Sequence, residues 1–219
     1  MQGRLFIVTF LLAATTLSSG LSRAAETQAE LNLNALAGAR SGNLQRLQQS
    51  IEHGASPNTR NRIGDSLLVA AIKNDHPEVV SWLLEHGADV NLANAKQVTP
   101  LMTAAFDGRV AIVKSLIDKK ADVTAVDQLH KTAMVYAAGN GHTSTVELLL
   151  KNGVAINAAY ENGLTALMWA SGFGQQSTVQ LLLERGADPT LVDNRGKTAL
   201  QMATENNFLQ VVSLLQARK

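Results

Sequence analysis

One spacing governs this sequence. Ser66, Thr99, Thr132, Thr165 and Thr198 stand 33 residues apart, and so do Gly54, Gly87, Lys120, Gly153 and Gly186. Apolar residues recur in the same register: Leu68, Leu101, Met134, Leu167 and Leu200, then Val80, Val113, Val146, Val179 and Val212. Ladders that share one period predict a stack of six like units, the first and last abbreviated, each touching only its neighbours. Composition agrees with that. Hydrophobic residues make up 46% of the chain but aromatic ones only 4%, so the core must be built from Leu, Val, Ile and Ala, which suits thin layers of short helices.

Each unit reads as helix, turn, helix, loop, an all-α fold class. Thr99-Pro100 opens a first helix, since Thr caps a helix N-terminus and Pro is favoured at its first position. Leu101, Ala104 and Ala105 form its packed face. Gly108 closes it in the left-handed conformation, and Gly42, Asp75, Gly141, Gly174 and Asn207 are its equivalents. Ile112, Val113, Leu116 and Ile117 are the apolar stripe of a second helix. That helix ends at Gly in most units but at Lys120 in one. A side chain held there costs about 1 kcal/mol if the backbone keeps its shape.

Thr99-Pro100-Leu101-Met102-Thr103-Ala104-Ala105 and Leu83-Leu84-Glu85-His86-Gly87-Ala88-Asp89-Val90-Asn91 resemble the two halves of the ankyrin repeat, and Leu181 to Asp188 repeats the second half. The resemblance covers Leu31 to Lys219. It implies an ankyrin-repeat solenoid of stacked helix-turn-helix units joined by β-turn or hairpin-like loops. The units fall at about 31–58, 59–91, 92–124, 125–157, 158–190 and 191–219, after a short tail at 25–30. It also implies a protein–protein interaction module whose concave face, made of first helices and loops, is the binding side. The family usually has His two residues after the Pro of its motif; here Val69, Met102, Val135, Met168 and Gln201 stand there. The terminal units are polar and read as caps.

Residues 1–24 are expected to be a signal peptide. Arg4 precedes an apolar run from Leu5 to Leu17, and Ser22-Arg23-Ala24 places small residues at the −3 and −1 positions of a cleavage site. The run is shorter than the roughly 20 residues of a membrane span. The expectation is an exported bacterial-type protein, periplasmic after cleavage, with an uncleaved inner-membrane anchor or secretion from the cell as alternatives. Lys and Arg total 19 against 18 acidic residues, and cysteine is absent. Those numbers argue against nucleic acid and anionic lipid as partners, and they leave no disulfide, thiol nucleophile or thiolate metal site.

Catalytic constellations are missing from the sequence. No HExxH, phosphate loop or dinucleotide fingerprint is present. His53 and His86 share one repeat position, His76 and His142 another, and His130 replaces a loop Gly found at Gly64, Gly163 and Gly196. Asp65, Asp89, Asp122, Asp127, Asp188 and Asp193 fall in loops, where carboxylates accept backbone N–H groups. The chain is therefore read as non-catalytic, without cofactor or metal. A metal-dependent enzyme at the His and Asp loop edge is the contrary reading.

What remains is surface. Residues four, seven and eight places after each Ser or Thr of the ladder lie along one side of the first helix. Four of the seven aromatic residues beyond the leader fall there: Phe106, Tyr136, Trp169 and Phe173. Gly139 and Gly172 leave room beside the rings, and Trp82 is expected in the core. Phe106, Asp107, Tyr136, Asn140, Trp169, Phe173 and Met202 are the predicted partner-binding residues. The partner is a protein, the mature chain is not membrane-inserted, and in isolation it is expected to be monomeric. Lys96, Gln128, Lys131 and Glu161 are among the varied loop-tip residues that would add specificity.

Overall fold

A computed structural model describes residues 26–217. The expected leader at 1–24 lies outside them. The described chain forms α1 (Gln28–Ser41), α2 (Leu44–Glu52), α3 (Leu67–Lys73), α4 (Pro77–Glu85), α5 (Pro100–Phe106) and α6 (Val110–Asp118), followed by α7 (Ala133–Gly139), α8 (Thr143–Lys151), α9 (Ala166–Gly172), α10 (Gln176–Glu184), α11 (Ala199–Glu205) and α12 (Leu209–Gln216). Among the described residues there is no strand, only an isolated bridge between Arg60 and Ser66. The odd-numbered helices pack side by side as one layer, and the even-numbered helices from α4 to α12 do so as a second. This is the stacked solenoid that the period predicts.

The ladders have local physical causes. Ser66, Thr99, Thr132, Thr165 and Thr198 each accept the backbone N–H three residues on and so cap α3, α5, α7, α9 and α11. Small buried residues on these helices, such as Ala71, Ala104, Ala137, Ala170 and Ala203, let neighbouring units approach. Every closing residue named above is left-handed, from Gly42 at φ +73 to Asp75 at +56 and Asn207 at +58. Lys120 keeps the backbone of its glycine equivalents at φ +67, so the strain expected there is present.

A second set of contacts stitches each unit to the one before. The position that precedes every even-numbered helix carries no side-chain cap from α4 onward; its side chain instead lies against the preceding unit. His76 Nε2 donates to Arg40 O at 3.1 Å, His142 Nε2 to Phe106 O at 2.8 Å and Gln175 Nε2 to Gly139 O at 2.9 Å. Glycine leaves the room this needs: a Cβ on Gly42, Gly108 or Gly141 would stand 2.6, 2.4 or 2.2 Å from the stitching side chain. Where the glycine is Asp75, the next unit supplies Arg109, which pairs with it at 2.8 Å. Asn43, at the corresponding place before α2, caps its own helix at Arg46 N.

Several expectations are corrected. Helix α1 begins at Gln28 rather than in unit residue 31, because Thr27 and Glu30 form a reciprocal capping box. The residues expected as a tail are thus partly helix, and α1, with 14 residues, is the longest helix among the described residues. Trp82 is only half-buried; its ring stacks on His86 at 3.8 Å, and His86 Nδ1 donates to Trp82 O at 2.7 Å. Asp65 does not accept backbone N–H groups. It is buried and takes Lys73 Nζ at 2.5 Å and Asn94 Nδ2 at 3.0 Å. At the position usually His, the sulfurs of Met102 and Met168 and the amide of Gln201 accept the cap residue's N–H.

Candidate protein-binding surface

The loops and the odd-numbered helices build one face. Asp127, at 5% exposure, holds the loop before α7 through Oδ1, which accepts the N–H groups of Leu129 at 2.8 Å and Lys131 at 2.9 Å. Its Oδ2 takes the hydroxyl of Tyr136. Burial, and then the bond to this carboxylate, push the Tyr136 hydroxyl well above the usual tyrosine range. The ring is therefore fixed at its far end. Phe106 meets it edge-on, with centroids 5.6 Å apart. Trp169 and Phe173 lie parallel at 5.8 Å, one helical turn apart on α9 and its cap.

Lys131 joins the two pairs. Its ammonium lies 5.7 Å from the Tyr136 centroid and 5.0 Å from that of Trp169, within cation–π range. It is thus part of the aromatic face and not only a loop tip. The available signal was its place one residue before the Thr132 cap, which points back across the first helix. Phe106 and Phe173 remain 51% and 56% exposed, while Tyr136 and Trp169 are half-buried beneath them. Asp107 is half-buried and lines, with Lys73, Val98, Phe106 and Tyr136, a pocket of about 250 Å³. A Cβ on Gly139 would meet only Phe173 and Trp169 carbons at 3.8 Å, so the expected space between the rings exists.

Two predicted residues differ from the rings in their surroundings. Met202 is 7% exposed and packs in the core, as Thr103 at the same repeat position is buried at 6%. Asn140 is exposed, but its amide donates back to Tyr136 O at 2.9 Å, as Asn74 and Asn206 do in their units. The outer units replace rings by ion pairs: Lys73 with Asp65 at 2.5 Å, and Lys197 with Glu205 at 2.6 Å. The same repeat positions are used with the charges exchanged. Aromatic character is concentrated in the middle of the stack.

Among the described residues no three metal-ligating side chains come together, and no helix is long and apolar enough to cross a membrane. The histidines have structural places. His53 and His86 end α2 and α4, His76 and His142 stitch units, and His130, at φ +50, lies 3.5 Å from Glu161.

No curated protein matches the chain. The family model described as ankyrin repeats (3 copies) matches residues 35–127 and 124–193, well over half of the 219 residues. Repeats of this kind are generally protein–protein interaction modules. On the period, the stacked helix pairs and this match, the chain belongs to the ankyrin-repeat family.

Proposed function

We propose that this protein is a non-catalytic binding module of the cell envelope that holds one protein partner across the middle of its concave face. The anchors are Phe106, Tyr136, Trp169 and Phe173, with Lys131 and Asp107 setting polar register. The observation that carries this reading is the pair of phenyl rings, each more than half exposed yet seated on fixed aromatic neighbours. Interfaces concentrate binding energy in such rigid, already ordered aromatic anchors. Covering the exposed half of each phenyl is worth about 1 kcal/mol, so the two together supply roughly thirtyfold in affinity.

Export through a cleaved leader, ending at Ala24, is part of the proposal. A mature protein that starts near Ala25 and fractionates with the periplasm supports it; an intact N-terminus in the membrane fraction replaces it by an anchored form, and recovery from the medium by an effector acting on another cell's protein. The isolated chain is proposed to be a monomer. Crosslinking in whole cells tests the face itself. Trp169→Ala with Phe173→Ala should lose the crosslinked partner while the circular dichroism spectrum is unchanged. A folded double variant that keeps every partner rules this face out.

A further inference from the structure

Neighbouring loops in this stack are tied by two sets of hydrogen bonds, and one joint lacks both. Asn58, Asn91 and Asn157 accept the backbone N–H of Asp89, Asp122 and Asp188 in the following unit at 2.8, 2.8 and 2.9 Å. The remaining joint of this ladder has Thr124 and Ala155 in those places. Nearer the tips, Arg60 Nη1 donates to Ala93 O at 2.6 Å, Gln128 Nε2 to Ala95 O at 3.0 Å, and Asn194 N to Asn162 O at 2.8 Å. Between the loops 126–132 and 158–164 the described residues offer the His130–Glu161 pair at 3.5 Å and an approach of the Tyr160 hydroxyl to the Thr132 side chain that falls short of a hydrogen bond. A third departure falls at the same joint. Tyr160 occupies the position of Asn61, Asn94, Asp127 and Asp193, whose side chains brace their own loops.

The unstitched joint is hollow. A cleft of about 650 Å³ is walled by Val123, Val126, Val154, Ala155, Ala158 and Tyr160, a size ordinary for small-molecule sites. A pocket of about 250 Å³, which shares His130, Tyr160 and Glu161 with that cleft, continues to Lys131, Leu164 and Trp169. Two residues of this wall carry buried polar atoms without a hydrogen-bond partner among the described residues: the Tyr160 hydroxyl and Trp169 Nε1. Each such orphan costs about 1–3 kcal/mol. The indole N–H and the Lys131 ammonium can only donate, and the hydroxyl can donate. What would satisfy all three is an acceptor, and the cation beside them favours a negative one. Glu161 is engaged with His130 at the shared rim, which places an anionic head on the Lys131 side and the apolar remainder in the larger cleft.

We propose that the joint between the loops opening units four and five binds a small amphipathic carboxylic acid, its chain in the apolar cleft and its carboxylate at Trp169, Tyr160 and Lys131. This site is separate in function from the concave face, though Trp169 and Lys131 border both. In the Trp82→Phe protein Trp169 is the sole tryptophan and reports on the site by its emission. Octanoate, kept below its micellar concentration, should give a saturable change, and octan-1-ol or octylamine should bind at least tenfold more weakly. Tyr160→Phe and Lys131→Met should each weaken octanoate about tenfold, equivalent to about 1.4 kcal/mol. Restoring the stitch with Thr124→Asn and Ala155→Asp should abolish the response in a protein that melts no lower than its parent. An absent octanoate response means that water alone fills the cleft and overturns the proposal. Equal affinity for octanol overturns it too, as does an unchanged response in the folded Tyr160 and Lys131 variants.

Discussion

Gly108→Ala asks whether the left-handed turns stay free of side chains for the sake of the next unit. Gly108 has φ +67, and a Cβ there would lie 2.4 Å from His142 Nδ1 and 2.7 Å from its Cε1. Holding alanine in this backbone region costs about 1 kcal/mol. The imidazole must also leave, and with it goes the 2.8 Å hydrogen bond to Phe106 O, a further loss of about 1 kcal/mol. The sum is about 2 kcal/mol. Gly87→Ala supplies the comparison, because Gly87 has φ +85 but nothing within 4 Å of an added Cβ; only the backbone cost of about 1 kcal/mol should appear. In a His142→Ala background the steric loss has already been taken, so Gly108→Ala should again cost about 1 kcal/mol, a coupling of about 1 kcal/mol between the two sites. Urea unfolding followed by far-ultraviolet circular dichroism, compared at matched m-values, measures all four proteins of the cycle. Equal losses for Gly108→Ala and Gly87→Ala, or a cycle that is additive within about 0.3 kcal/mol, would refute the reasoning.

Lys120→Gly should stabilise the array by about 1 kcal/mol, read as a higher urea midpoint, because Lys120 alone among its repeat equivalents carries a side chain at positive φ, +67. Gly139→Leu should fill the space beside Trp169 and Phe173 and weaken partner capture at least tenfold with little effect on the melting temperature, since the position has open surroundings and a helical backbone. Both tyrosines should resist ionisation at pH 10 in an absorbance titration near 295 nm: burial and the Asp127 bond raise Tyr136, and burial raises Tyr160. Above pH 10 the unfolded chain then holds fewer tyrosine protons than the folded one, so stability should fall as pH rises through that range. Ionisation of both groups at the value of free tyrosine would contradict their placement.

Much of the fold was legible because a repeat displays each structural cause several times. The Ser and Thr ladder reads as helix caps, the Gly, Asp and Asn positions as left-handed turns, and the Leu and Val ladders as a layered core; all of these depend on residues close in sequence. The aromatic side was legible for the same reason, since four residues at fixed helical offsets share a face whatever surrounds them. Met202 was misplaced because that helix position is at least half-buried in every unit, and only a ring as large as Tyr136 or Trp169 extends from it to the surface. Trp82 was assigned to the core from its apolar repeat equivalents, but Ser115, Leu148, Leu181 and Leu214 are themselves only half-buried, so the position lies at the margin of the core, where the indole stacks on His86.

By itself, then, the sequence determined the period, the helix pairs, their caps and the side on which the rings gather. Only the tertiary structure decided which polar groups cross from one unit to the next. His142 reaches Phe106 O, Gln175 reaches Gly139 O, and Lys131 settles over two rings from adjacent units. It also decided that Thr124, Ala155 and Tyr160, three unrelated departures in the sequence, meet at one joint and leave it open. The physical reason is reach. Caps and helical stripes are settled within a few residues of chain, whereas stitches and clefts depend on distances between units that exist only once the stack has formed.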